Sequence, residues 1–308
     1  FNTLSGTTNS DIVFGADGIA NLNNGLTGDV TTNTVNTGTL NLVGSNNQTV
    51  SGTVGSTNAL KDVNSGVNGT TSTFTGTVNS QNVTNTGSGT TIFQDDVTAT
   101  NVNVNAGTST FQDNLTATTT TITTGTGNFN TLSGTTTSDI VFGGIGEANL
   151  NNGLIGDINF AGNDATVNVT SGNLTGNVTA TGTNGNLNIL GTTTVTGTVG
   201  TNTTDRISEI NGSANTDATF KEDVFANNVN VNDGEMTFEK SLNATTATIA
   251  SGTANFNTVS GTTTSDIVFS NTGTANLNNG LIGNIDFAGN DATVNVSDGK
   301  GILGSIVT

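Results

Sequence analysis

Apolar residues along this chain alternate with polar ones inside short runs, and the runs recur at nearly constant spacing. Val102 and Val104 flank Asn103; Val229 and Val231 flank Asn230. Alternation of β-branched residues predicts strands with one face turned inward. The phenylalanines set the period. Phe74, Phe93, Phe111 and Phe129 follow one another at intervals of 18 or 19 residues, as do Phe220, Phe238 and Phe256. Val97, Val102, Val104 and Gly107 follow Phe93 at the offsets at which Val224, Val229, Val231 and Gly234 follow Phe220. Phe111 leads Leu115, Ile122 and Gly125, and Phe238 leads Leu242, Ile249 and Gly252. The pattern predicts a coil in which apolar residues point inward and glycine turns a corner that needs a permissive backbone. Equal coils would stack each Phe on the last, and let Asn side chains hydrogen-bond in ladders.

A larger repeat contains the coils. Phe1–Phe14 returns at Phe129–Phe142 and Phe256–Phe269, so copies start near 1, 129 and 256. Val50–Gly55 matches Val195–Gly200 with one coil of extra offset. The first copy carries an additional coil at Phe74, the second an additional coil around Val167. Whole coils come and go, so the coil is the unit. The expected fold is all-β: a parallel β-helix (solenoid) of about 16 coils of about 18–20 residues, each about 4.8 Å thick, continuous over 1–308. Absence of proline suits an unbroken ladder. Phe1 stands within a repeat and is not Met, so the chain is expected to be an excerpt.

Composition narrows function. The formal charge is −18, from 23 acids and 5 bases. Five cations cannot neutralise a phosphate backbone or seek an anionic membrane, so no nucleic-acid partner is expected. His, Cys and Tyr are absent, which removes the usual nucleophile–base pairs and thiol or Cys-type zinc sites. No apolar run approaches the length of a membrane-spanning helix.

Carboxylates remain. Asp95-Asp96 and Glu222-Asp223 occupy one equivalent position and read as a solvated turn rather than an acid–base pair. Asp11, Asp139 and Asp266 recur in Ser-Asp-Ile-Val-Phe and read as turn residues capping backbone N–H groups. Asp29 and Asp157 become Asn284 in the third copy, which suits a turn and not a catalytic acid. Asp/Asn ladders offer oxygen ligands to Ca²⁺, but the Gly-Gly-x-Gly-x-Asp signature is missing, and Gly162–Asp164 and Gly289–Asp291 read as turns. No cofactor is expected.

Two segments depart from the template. Thr57–Val63 and Thr203–Ile210 lengthen their coils, and each reads as an outward loop or short helical turn with Leu60 or Ile207 tucked back. Most of the bases lie in or just after them. Leu60, Lys61, Asp62, Asp205, Arg206 and Glu209 are the candidate interaction residues.

Val50–Leu60, Val195–Asn202 and Thr219–Val231 resemble the repeats of rickettsial surface-antigen autotransporters of the outer membrane protein A/B type. The resemblance implies a non-catalytic passenger exported to the bacterial cell surface. It implies a C-terminal barrel translocator outside this chain, and contact with a host-cell receptor or neighbouring copies. A self-assembling surface-layer or extracellular filament subunit is the alternative. A β-helical polysaccharide enzyme is disfavoured, because such sites use Arg and aromatic platforms and this chain has one Arg and neither Trp nor Tyr.

Overall fold

In the computed structural model residues 2, 6–214 and 216–308 are described; Phe1, where the first large repeat begins, lies outside them. The described residues form strands and no helix, and the protein is a parallel β-solenoid of about 16 turns. They group into two compact units, Phe1–Asn152 and Gly153–Thr308.

In the first unit a representative coil runs from the strand Thr90–Phe93 through a corner to the strand Val97–Val104, then through Gly107 to Thr108–Phe111. Each strand pairs in parallel with its counterpart one coil on. Phe93 stands against Phe111, and Val97 and Val104 stand against Leu115 and Ile122. The longer strand bends at Thr100. Val97, Val102 and Val104 are buried, but Thr98 and Thr100 are both exposed, so the inward alternation shifts phase there.

The phenylalanines form the expected columns. Ring centroids lie 5.2 Å apart for Phe74–Phe93, 5.0 Å for Phe93–Phe111 and 5.4 Å for Phe111–Phe129. In the second unit they lie 5.1 Å apart for Phe220–Phe238 and 5.6 Å for Phe238–Phe256. Each stacked pair adds about 0.5–1.5 kcal/mol to the burial of the rings themselves. The additional Phe74 coil slots into the ladder without disturbing it, pairing with Gln48–Val50 on one side and Thr90–Phe93 on the other. In the second unit the additional coil at Thr166–Val169 pairs with Asn186–Ile189.

Asparagines form ladders on the outer face. Asn41 Nδ2 donates to Asn21 Oδ1 at 2.8 Å and Asn64 Nδ2 to Asn41 Oδ1 at 2.8 Å. In the second unit Asn188, Asn211 and Asn230 each donate to the amide one coil back, at 2.8, 2.9 and 2.7 Å. One donor and one acceptor of each amide are satisfied by translation along the stack.

The template glycines are all pressed against the previous coil, where a Cβ on Gly107 or Gly234 would lie 2.1 Å from a carbonyl oxygen, and two of them also need an unusual backbone. Gly107 and Gly234 have φ of 63° and 73°, the left-handed region that glycine enters freely. Gly125 and Gly252 are not in that region. At these two an added Cβ would lie 2.8 Å from the Gly107 carbonyl oxygen and 2.7 Å from that of Gly234.

Candidate functional site

The extra residues of the two lengthened coils do form excursions, but earlier than expected, and neither is helical. They occupy Gly55–Ala59 and Gly200–Asp205. Leu60, Lys61 and Asp62 instead open the strand Leu60–Ser65, and Arg206 and Glu209 belong to the strand Arg206–Gly212. Leu60 and Ile207 are fully buried, as their tucked-back reading required. The reason is burial: the first apolar residue after each excursion is drawn inward, and its neighbours inherit strand geometry.

In the first unit Lys61 is exposed, and its Nζ lies 3.3 Å from Asp17 Oδ2. Asp17 Oδ1 accepts the Gly38 backbone N–H at 3.2 Å. The Gly38 N–H first, and Lys61 second, hold the Asp17 carboxyl below the usual carboxylate range. Asp62 stands in the amide ladder, accepting from Thr39 Oγ1 at 3.1 Å and from Asn82 Nδ2 at 2.9 Å.

In the second unit Asp205 closes the excursion. It accepts the Gly182 N–H at 2.8 Å and Asn202 Nδ2 at 2.9 Å, and its own N–H donates to Asn202 Oδ1. These bonds, Gly182 foremost, lower its pKa. Arg206 runs along the stack rather than outward. Its Nε donates to the Thr203 carbonyl at 2.9 Å, its Nη1 to the Ala226 carbonyl and Thr245 Oγ1, both at 3.2 Å, and its Nη2 to Asn243 Oδ1 at 2.8 Å. The guanidinium fork thus fastens successive coils. Glu209 accepts from Asn211 Nδ2 at 3.4 Å. The Arg206 fork is committed to internal bonds, so Lys61 and the exposed excursion residues Ser56, Thr57 and Thr201–Thr204 are the groups that face outward.

The recurrent aspartates cap backbone between coils. Asp139 and Asp266 lie inside the strands Thr136–Phe142 and Thr263–Phe269 rather than in turns. Asp11 Oδ1 accepts the Asp29 N–H at 2.9 Å, and Asp266 Oδ1 accepts the Asn284 N–H at 2.8 Å. The next coil repeats the motif: Asp29 caps Thr53 and Asp157 caps Asn177, each at 2.7 Å, and Asn284 caps Ser305 at 2.9 Å. An amide oxygen serves as well as a carboxylate, which explains the Asp-to-Asn exchange at this position.

An acidic group went unread in the sequence. Asp95, Asp96 and Asp113 each place a carboxylate oxygen within 4.8 Å of the others, half-buried at one corner. The coil period itself puts Asp113 over Asp95. Asp96 Oδ1 accepts from Asn114 Nδ2 at 2.8 Å, a bond between adjacent coils. Asp11, Asp29, Asp62, Asp157, Asp205 and Asp266 stand with capping or ladder partners rather than in a cleft with an acid–base partner.

No protein-family profile, curated protein or solved structure matches this sequence.

Proposed function

We propose that the protein is a non-catalytic structural and adhesive passenger of a bacterial cell surface. It would display its excursions to a host-cell receptor or to neighbouring copies, with membrane attachment through a translocator outside this chain. The observation that carries the reading is the coil stack itself. Its outward positions are filled by repeating Thr and Asn, and the Asn amides bond one another, while the recurrent aspartates cap backbone between coils. Such a surface is regular, uncharged over long stretches and built for extension and display. The resemblance of Val50–Leu60 and Thr219–Val231 to surface-antigen repeats supplies the location. The excess of acids would favour cationic partners and disfavour nucleic acid.

The test is made on intact cells that express the native gene. Accessibility of this region to an external antibody and to added protease, and adhesion of beads coated with the purified protein to host cells, would support the reading. Recovery of the region only from the cytosolic fraction, with coated beads adhering no better than blank ones, would end it. Ordered arrays of the purified protein without adhesion would move the assignment to a surface-layer or filament subunit.

A further inference from the structure

The sequence holds six Asn-Gly pairs, at Asn24, Asn68, Asn152, Asn184, Asn211 and Asn279. In such a pair the glycine nitrogen can reach the carboxamide carbon of the asparagine, because no Cβ obstructs the approach. The fold restrains five of the six. Gly185 and Gly212 lie within the strands Thr183–Ile189 and Arg206–Gly212 and are buried. Gly153 and Gly280 are buried against the next coil, where an added Cβ would meet the carbonyl oxygens of Asn173 and Gly301 at 2.3 and 2.6 Å. Gly25 is held as closely, 2.6 Å from the Thr49 carbonyl oxygen by the same measure.

Asn68-Gly69 is different. Both residues are exposed in a turn closed by the Thr70 N–H on the Val67 carbonyl at 3.1 Å, and the Cβ direction of Gly69 opens to solvent, with no atom within 4 Å. The Asn68 side chain is also activated from the next coil. Its Oδ1 accepts both the Ser88 backbone N–H at 2.7 Å and the Ser88 hydroxyl at 3.1 Å. Two donors on one carboxamide oxygen draw electrons from Cγ and stand ready for the charge that develops when Cγ is attacked.

We propose that Asn68 is a self-modifying site. Solvent base removes the Gly69 amide proton, and the nitrogen forms a bond to Asn68 Cγ. The Cγ–Nδ2 bond then breaks, and Nδ2 takes up a proton and leaves as ammonia. Water opens the resulting cyclic imide. Breaking its N–Cγ bond leaves aspartate at 68; breaking the original peptide bond leaves isoaspartate, with the backbone routed through the former side chain. Aspartate keeps an acceptor for Ser88 and adds a negative charge to an exposed turn. Isoaspartate lengthens the backbone by one methylene and draws the turn away from Ser88.

The experiment incubates the full folded protein in mildly alkaline heavy-oxygen water and maps label uptake at all six pairs by peptide mass spectrometry. Asn68 is expected to convert first, at least about tenfold faster than the others, which must open locally before they react. In denaturant the six rates should converge. Asn68→Gln should abolish uptake at this position. Ser88→Ala, a change at an exposed residue, should slow it by roughly tenfold, the rate equivalent of one hydrogen bond. Equal uptake at the other pairs in the folded protein, or none at Asn68, would overturn the proposal. Faster conversion in Ser88→Ala would overturn the activating role, showing that Ser88 restrains the amide instead.

Discussion

Asp95, Asp96 and Asp113 in the first unit occupy the corner that Glu222, Asp223 and Lys240 occupy in the second. One corner gathers three like charges. The other makes an ion pair, with Lys240 Nζ 2.5 Å from Glu222 Oε2. Around both, the backbone is the same: Asn114 N–H bonds Asp96 Oδ1 at 3.3 Å, and Ser241 N–H bonds Asp223 Oδ1 at 3.1 Å. The difference teaches what the corner requires. The capping acid is common to both, whereas the residue one coil on can take either charge. The acidic trio is therefore a variation on a turn.

The interiors differ in the same instructive way. In the first unit Asn85 is buried, and its Nδ2 donates to the carbonyls of Thr108 and Gly89 at 3.0 and 3.3 Å and to Ser109 Oγ at 3.4 Å, while its Oδ1 has no hydrogen-bond partner. The equivalent pair in the second unit is Gly212 and Met236. There the Met236 methyl fills the space, lying 2.6 Å from where a Gly212 Cβ would stand. One coil supplies the bulk in the first unit and its neighbour supplies it in the second. The core conserves volume across the pair, not residue type.

The aromatic columns are what the two units share, so breaking them should have the largest and most equal effect. Phe111→Ala and Phe238→Ala each remove a fully buried ring stacked on both sides. Each should lower stability by about 3–5 kcal/mol in chemical denaturation. A marked inequality would mean that the columns are not equivalent. Next comes the volume swap. Ser109→Met alone should overpack against Asn85 and cost about 1–3 kcal/mol. Adding Asn85→Gly should recover most of that loss, and a double-mutant cycle measures the coupling.

The corner swap is smaller. Asp113→Lys should relieve the repulsion and raise stability by about 0.2–1 kcal/mol, with the gain shrinking as salt is added. Lys240→Asp should do the reverse. Glu222 raises the Lys240 pKa through their hydrogen bond, so the pair's contribution is present below the ordinary lysine range and is lost as pH rises through the raised value. The smallest effect is at Asp205. Its pKa is lowered, so its support of the Gly182 N–H holds above the ordinary carboxylate range and fades as pH falls through the lowered value. Hydrogen exchange at Gly182 should quicken in acid relative to neighbouring amides, and Asp205→Asn should remove that pH dependence.

Much of this was legible in the sequence. Near-equal spacing of Phe74, Phe93, Phe111 and Phe129 dictates a column, because a parallel ladder places matching positions of successive coils one above another. The Asn ladders follow from the same translation. The excursions were harder. Extra residues between apolar anchors show that the backbone leaves the coil, not on which side of Leu60 or Ile207 it leaves. The Asp95–Asp113 proximity and the Asn85/Ser109 exchange with Gly212/Met236 each join residues on adjacent coils. They emerge only once the register of the coils is known. The partners of Arg206 were out of reach of the sequence for a related reason: its fork bonds residues of the following coils, which only the register brings beside it.

The central claim is that the coil is the unit of structure, and removal of one coil tests it most directly. Deleting Gln94–Phe111 joins Phe93 to Gln112 in the same register and should leave a protein with the circular-dichroism spectrum of parallel strands and a cooperative unfolding transition. Deleting half of that segment, Gln94–Val102, should push the inward residues out of phase and abolish the transition. A cooperative half-coil deletion, or an unfolded whole-coil deletion, would contradict the account.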